Sequence, residues 1–256
     1  MKTKLLFLGC GSSIGVPTIV GFWGNCKKNN KKNIRTRSSV IIFKGTNSIL
    51  IDTSPDLKNQ LLTNNIKNIS SVILTHEHAD QTNGLFELRP FFWKYKKKIN
   101  IYGDSRTINS VKKRDDYLFK KTGTYPPIVK SNIINSRFSL GKKNEKIFFK
   151  AIKVRHGEIK SLALIFEKTA YISDTNDLTI TKMKELENLK YLIIDCLKFK
   201  KHPSHFNLNE SLYVHRKLKP KITILTNLHH DLDYNYLLKK LPNDVIPAYD
   251  GLKINL

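Results

Sequence analysis

The strongest constraint on the fold is a succession of short apolar runs, each of strand length. They cover residues 5–8, 40–43, 49–51, 72–74, 99–102, 147–154, 162–166, 171–173, 191–194 and 222–225. Ile, Val, Phe and Tyr dominate them, the types that pack well on a pleated surface. Between the runs, residues 55–64, 83–92, 105–119, 178–189, 208–218 and 234–241 read as helices. Asn176 or Asp177 is placed to cap the helix at 178, and Asn207 the helix at 208. Strands crowd the first part of the chain, and later strands alternate with helices. That order predicts an α/β layered architecture, two sheets covered by helices on the outside. With 256 residues, residues 1–256 are expected to form one domain. No run approaches the roughly 20 apolar residues of a membrane span, so no membrane role is expected.

Charge excludes less than it suggests. The formal net charge is +24, which points first to a polyanion. Yet the chain has 37 Lys and only 8 Arg, with 23 Asn and 28 Ile. Lys, Asn and Ile share A/T-rich codons, and bidentate phosphate recognition favours Arg. The densest run, Lys27-Lys28-Asn29-Asn30-Lys31-Lys32, carries no aromatics and reads as a solvated loop. Three scattered cysteines, Cys10, Cys26 and Cys196, do not suggest a disulfide framework. The apolar stretch near the N-terminus is too short for a signal segment. A reducing cytoplasmic setting is the expectation.

The chemistry concentrates at strand ends. Thr75-His76-Glu77-His78-Ala79-Asp80 follows the run 72–74. A sharp turn there can aim His76, His78 and Asp80 at one point, and imidazole with carboxylate suits a catalytic Zn²⁺ or Mn²⁺. Comparable positions recur: His156 after 147–154, Asp174 after 171–173, and His229, His230 and Asp231 after 222–225. Each alone could be a loop histidine or a capping aspartate. Together they resemble one site assembled from several strands.

In these elements the chain resembles the metallo-β-lactamase superfamily. The H-x-H-x-D element, His156, Asp174, a terminal histidine and the strand-end Asp52 match its ordered motifs along essentially the whole chain. Within it, the stretches 8–17, 35–39, 84–89 and 229–233 are most similar to the phosphonate-pathway phosphodiesterases acting on phosphoribosyl cyclic phosphate. The resemblance implies an αββα sandwich of two mixed β-sheets flanked by helices. It implies one or two divalent metal ions, zinc or manganese with iron as an alternative. His76, His78 and His156 would hold one metal, Asp80 and a terminal histidine the second, with Asp174 bridging and Asp52 bracing. Asp80 and His205 are the expected catalytic residues, His205 as phosphate contact or proton donor. A metal-bound hydroxide would be the nucleophile. The resemblance also allows a homodimer.

Two departures matter. The family continues H-x-H-x-D-H, and here the sixth position is Gln81. The cyclic phosphodiesterases have His where this chain has Asn227, so His229 is expected to substitute, in preference to His230. Of the structural zinc site in those enzymes, this chain keeps only Cys26 and His230 and has Gly21 and Trp23 instead of cysteines; that site is expected to be absent. Cys10 and Cys196 are expected to be packed residues and His215 a structural one. Arg35, Arg37 and above all Arg89 are candidates to grip a phosphate. The resulting expectation is a phosphodiesterase acting on a small cyclic phosphodiester. The alternatives are an endoribonuclease resembling the tRNA 3′-processing enzyme, with nucleic acid as partner, and a degenerate binding protein that has lost catalysis through Gln81 and Asn227.

Overall fold

The computed structural model describes residues 1–256. Fourteen strands, numbered along the chain, form two seven-stranded sheets. The first contains β1 (Lys4–Gly9), β2 (Ser39–Lys44), β3 (Asn47–Ile51), β4 (Ser71–Ile73), β5 (Ile99–Gly103), β6 (Val129–Ile133) and β14 (Lys253–Asn255), in the order β14-β1-β2-β3-β4-β5-β6. The second contains β7 (Arg137–Leu140), β8 (Ile147–His156), β9 (Ile159–Phe166), β10 (Thr169–Ile172), β11 (Tyr191–Asp195), β12 (Ile222–Thr226) and β13 (Val245–Pro247), in the order β13-β12-β11-β10-β9-β8-β7. Both sheets are mixed. β3 to β6 are mutually parallel, as are β10 to β13, and the remaining pairs are antiparallel.

Alternation along the strands divides the core into three layers. Val40 and Ile42, Ile49 and Ile51 point between the sheets, where they join Phe7, Phe149, Leu164, Phe166, Tyr171 and Ile193. Ile41 and Leu50 point outward against α1 (Leu57–Thr63) and α4 (Ser105–Arg114) through Leu57, Leu61, Ile108 and Val111. On the far face of the second sheet, Leu192 and Ile194 pack with Leu208, Val214 and Leu237 of α7 (Leu208–Leu218) and α8 (Tyr234–Lys240). Strands buried on both faces explain why the sequence shows near-continuous apolar runs rather than clean alternation.

Several expected helices are shorter or broken. Residues 79–95 give a short α2 (Ala79–Thr82), a 3₁₀ turn at Leu85–Leu88, and α3 (Arg89–Tyr95), with Pro90 in the first turn of α3. Proline fits that first turn but cannot continue a preceding helix. Residue Asp115, out of helical geometry, separates α4 from α5 (Asp116–Phe119). The segment expected to start at 178 yields only α6 (Ile180–Lys184), capped by Thr179 rather than by Asn176 or Asp177. Asn176 is used elsewhere: its amide accepts from Gly157 N–H at 2.9 Å and donates to the Pro203 carbonyl at 2.8 Å.

Helix α7 has the expected start. Asn207 accepts from Glu210 N–H at 2.9 Å, and the Glu210 carboxylate accepts from Asn207 N–H at 2.9 Å, a reciprocal capping box. Asn207→Ala is expected to cost about 1 kcal/mol, read as a lower urea midpoint at unchanged slope. No helix is long and apolar enough to cross a membrane.

Candidate metal centre

The polar residues gather beyond the carboxyl ends of central strands, where parallel sheets open a crevice. Asp52 follows β3, Thr75 and His76 follow β4, and His156 ends β8. Asp174 follows β10, Asp195 ends β11, and Asn227 follows β12. Asp52 and Asn227 both have left-handed backbones, φ 63° and 61°. Neither is glycine, so each turn carries some strain that the surrounding contacts must hold in place.

Three imidazoles form the centre of the site. The ligand atoms of His76, His78 and His156 lie within 4.8 Å of one another. Each ring is oriented by the chain around it. Asp52 accepts from Thr75 N–H at 2.7 Å and from the Thr75 hydroxyl at 2.9 Å, and that hydroxyl lies 3.1 Å from His76 Nδ1. His156 Nδ1 lies 2.7 Å from the Ser204 carbonyl, which can only accept, so Nδ1 carries the proton and Nε2 presents its lone pair inward. Gly157 permits this approach. Its φ is +61°, and a Cβ there would stand 3.0 Å from Ser204 Cβ.

Electrostatics keep these rings ready to act as ligands. Burial pushes His76 down to about 3, and burial with His156 lowers His78. Both are therefore neutral near pH 7. His76 Nε2 is buried and has no hydrogen-bond partner, a costly arrangement unless something binds it. Three inward imidazoles and that orphaned nitrogen fit a divalent cation of the zinc type.

A second group overlaps the first: His156, Asp174 and His205 also have ligand atoms within 4.8 Å of one another. His205 Nδ1 lies 2.8 Å from Asp195 Oδ2 and 3.8 Å from Asp174 Oδ1. Burial would lower His205, but the carboxylates around it, Asp195 first and then Asp174 and Asp80, together outweigh burial and lift His205 to about 9. Burial pushes Asp195 itself up to about 6, against the pull of His205. Burial would also raise Asp174, but the imidazoles around it hold its carboxyl below the usual range. Asp80 is pushed up to about 6 by burial and by Asp174. The Asn227 amide donates to Asp174 Oδ1 at 3.3 Å and to Asp195 Oδ1 at 3.2 Å, which ties the two carboxylates together.

Of the sequence-predicted residues, His76, His78, His156, Asp174 and His205 come together, and Asp80 joins through the Gln81 side chain, 3.3 Å away. His229 does not. It falls in a separate group with His230 and Asp231, and its backbone N–H is bound to the Leu197 carbonyl. Asn227, not His229, lies against Asp174. Asn227, with a left-handed backbone, stands at that point, and His229 lies outside the groups formed by His76, His78, His156, Asp174 and His205. His229→Ala is accordingly expected to leave metal content unchanged, measured by elemental analysis after desalting; a lost equivalent would restore it as a ligand.

Asp195 was not anticipated. Its signal was present, since it ends an apolar strand just as Asp52 and Asp174 follow theirs. The phosphate-grip candidates are otherwise engaged. Arg35 is fully buried and donates to the Leu232 carbonyl at 2.6 Å and the His229 carbonyl at 3.1 Å. Arg37 pairs with Asp56 at 3.0 Å, and the Arg89 guanidinium lies over the Phe86 ring at 4.9 Å. His215 is buried with Nδ1 3.0 Å from Thr223 Oγ1, a structural contact, and Cys10 and Cys196 are fully buried.

Residues 47–229 match the family model of the beta-lactamase superfamily domain. Among solved structures, a diphosphatase from the PhnP family is 30% identical, with a TM-score of 0.91, over 100% of this chain and 98% of that one. Zn²⁺-bound PqqB from Methylobacterium extorquens has a TM-score of 0.80 at 16% identity, over 99% of this chain and 100% of that one. The short form of human tRNase Z has a TM-score of 0.70 at 18% identity, over 98% of each chain. The last two share the fold. Among curated proteins, an octanoyltransferase of Porphyromonas gingivalis (strain ATCC BAA-308 / W83) is 27% identical over 253 residues, 98% of this chain and 51% of that protein. The chain thus spans about half the length of that relative.

Proposed function

Because the chain belongs to the beta-lactamase superfamily, whose hydrolase fold it shares, we propose that it is a metal-dependent phosphodiesterase acting on a small phosphate ester. His76, His78 and His156 would hold one divalent cation, with Asp174 grouped beside His156. Such a cation supplies Lewis-acid polarisation of a phosphoryl oxygen and activates water at neutral pH. The chain's own residues do the rest. Asp52 and Thr75 orient His76, and the Ser204 carbonyl orients His156. Asn227 holds Asp174 and Asp195 in register. His205, kept protonated by Asp195, donates a proton to the departing oxygen.

The observation that carries this reading is the overlap of the imidazole cluster with the group of His156, Asp174 and His205, whose His205 Nδ1 lies 2.8 Å from Asp195 Oδ2. A diphosphate substrate is the second reading, supported by the 30% identity to a protein named a diphosphatase. Acyl transfer has less support from the site: a nucleophilic thiolate needs a lowered pKa and access, and burial pushes the Cys10 and Cys196 thiols up.

Metal analysis of the purified protein and hydrolysis of bis(p-nitrophenyl) phosphate under Mn²⁺ or Zn²⁺ test the proposal together. At least one metal equivalent and measurable turnover are expected. Less than one equivalent and no turnover would sink it, and metal without turnover would favour a binding protein. Binding of RNA that collapses with added salt would favour the endoribonuclease reading.

A further inference from the structure

Side chains that point between the sheets are mostly apolar, but at one end of this layer the pattern breaks. Ser71 shares a face of β4 with Ile73, and Asn47 shares a face of β3 with Ile49 and Ile51. Ser71 pairs with Asn100 and Ile73 with Tyr102, so both β5 residues also face inward. With the turn that joins β7 to β8, these residues line a cavity of about 600 Å³, a volume typical of small-molecule sites. Ser71 opens β4 and Ile99 opens β5, so the cavity lies at the amino ends of these parallel strands. Thr75 and His76 follow the other end of β4, and no residue of the metal centre lines the cavity.

The groups in its wall are short of partners. Ser71 is 5% exposed, and its Oγ has no hydrogen-bond partner. A buried hydroxyl left unpaired is costly unless something meets it. The Asn47 NH₂ is spent on the Leu140 and Glu145 carbonyls at 3.5 and 3.4 Å, so its oxygen is the part left to accept. The Tyr102 ring stacks on Phe138 at 6.3 Å. Burial raises its phenol above the ordinary value, so the hydroxyl keeps its proton and can donate.

Charge around the cavity has one sign. Lys97, Lys98 and Lys142 stand exposed along it. The lysines held in ion pairs are Lys44, Lys120, Lys150 and Lys153, so these three are free. The one carboxylate in the wall, Glu145, is engaged by the Thr46 N–H at 2.9 Å and the Thr46 hydroxyl at 2.7 Å. Three free ammonium groups favour an anion, and Lys binds phosphate as a point charge. An inorganic anion would fill little of the volume and leave the Phe91 and Tyr95 rings in the wall bare. A planar base uses such rings, because every base has a π-face to stack.

From this juxtaposition we propose that the cavity is a second ligand site, separate from the metal centre, that takes a nucleoside monophosphate. The phosphate is held by Lys97, Lys98 and Lys142, the base lies against Phe91 and Tyr95, and Ser71, Asn47 and Tyr102 supply the hydrogen bonds. The site is independent of the metal-site reading, since the two share no residue.

The test uses the whole chain in EDTA, titrated with AMP by isothermal calorimetry, with inorganic phosphate as the comparison probe. One AMP per chain with a Kd below about 1 mM is expected, and phosphate should bind roughly tenfold or more weakly. Lys98→Glu combined with Lys142→Glu, both at exposed positions, should weaken AMP binding roughly tenfold or more. Ser71→Ala should weaken it roughly fivefold and leave Tm unchanged or higher, because the hydroxyl it removes has no partner in the fold. Asp174→Ala should bind AMP as the unaltered chain does. No saturable binding, equal affinity for AMP and phosphate, or AMP affinity unchanged in both the lysine and the Ser71 variants would overturn the proposal. Loss of AMP binding in Asp174→Ala would place the nucleotide at the metal centre and overturn it as well. Metal content and hydrolysis, measured separately, decide the metal-site reading whatever the outcome with AMP.

Discussion

Asp174→Ala is expected to abolish hydrolysis, with a loss on the order of 10³-fold or more in kcat/KM, or about 4 kcal/mol of transition-state stabilisation. It is also expected to release metal on desalting. The carboxylate is fully enclosed and lies within 4.8 Å of His156 and His205. It also receives the Asn227 amide at 3.3 Å. Without it, the imidazole cluster loses the buried carboxylate grouped with His156, and the Asn227 amide loses a partner. Elemental analysis and turnover should fall together, with circular dichroism unchanged. Wild-type-like activity in this variant would refute the assignment of Asp174 to the site.

Asp195→Asn carries the second large effect. In metal-free protein the His205 imidazole should titrate at about 9, because Asp195, with Asp174 and Asp80, overcomes the lowering effect of burial. An amide removes that charge, and the titration should drop by at least about one unit, toward or below the ordinary imidazole value of about 6.5. Histidine side-chain NMR in the presence of EDTA reads this directly. If His205 is the proton donor, kcat at neutral pH should fall by roughly 10²- to 10⁴-fold. The sign for stability follows from the raised folded-state value. The contribution of His205 is fully present below about 6.5 and is lost as pH rises through about 9. An unchanged His205 titration in Asp195→Asn would break the link between the two residues.

The elements legible in the sequence and those that were not divide along a physical line. Central strands such as β3 and β11 are covered on both faces, so they read as apolar runs. The strands that went unread, β6, β7, β13 and β14, are the four sheet edges. One side of each edge strand lacks a partner; β6 and β14 carry polar residues accordingly, in Val129–Ile133 and Lys253–Asn255, while the apolar β13, Val245–Pro247, is only three residues long. Helix α7 was legible because a capping box is written in adjacent residues, Asn207 and Glu210. Helix α6 was overextended because Asn176, a good cap in isolation, is bound instead to Gly157 and Pro203 across the fold.

The site divides in the same way. Sequence alone determined that imidazoles and carboxylates stand at strand ends, because His76 and His78 sit one turn beyond β4 and Asp174 just beyond β10, and local chain geometry suffices to put them there. Only the tertiary structure decided which of them meet. A left-handed residue at 227 turned His229 away and left an amide against Asp174. Parallel pairing of β10 with β11 brought Asp195 beside Asp174, and Asp195 Oδ2 to 2.8 Å from His205 Nδ1. The Ser38 carbonyl, more than forty residues before Gln81 in the chain, lies 3.2 Å from that side-chain amide. Register, backbone handedness and long-range hydrogen bonding are properties of the assembled sheets, and no window of sequence contains them.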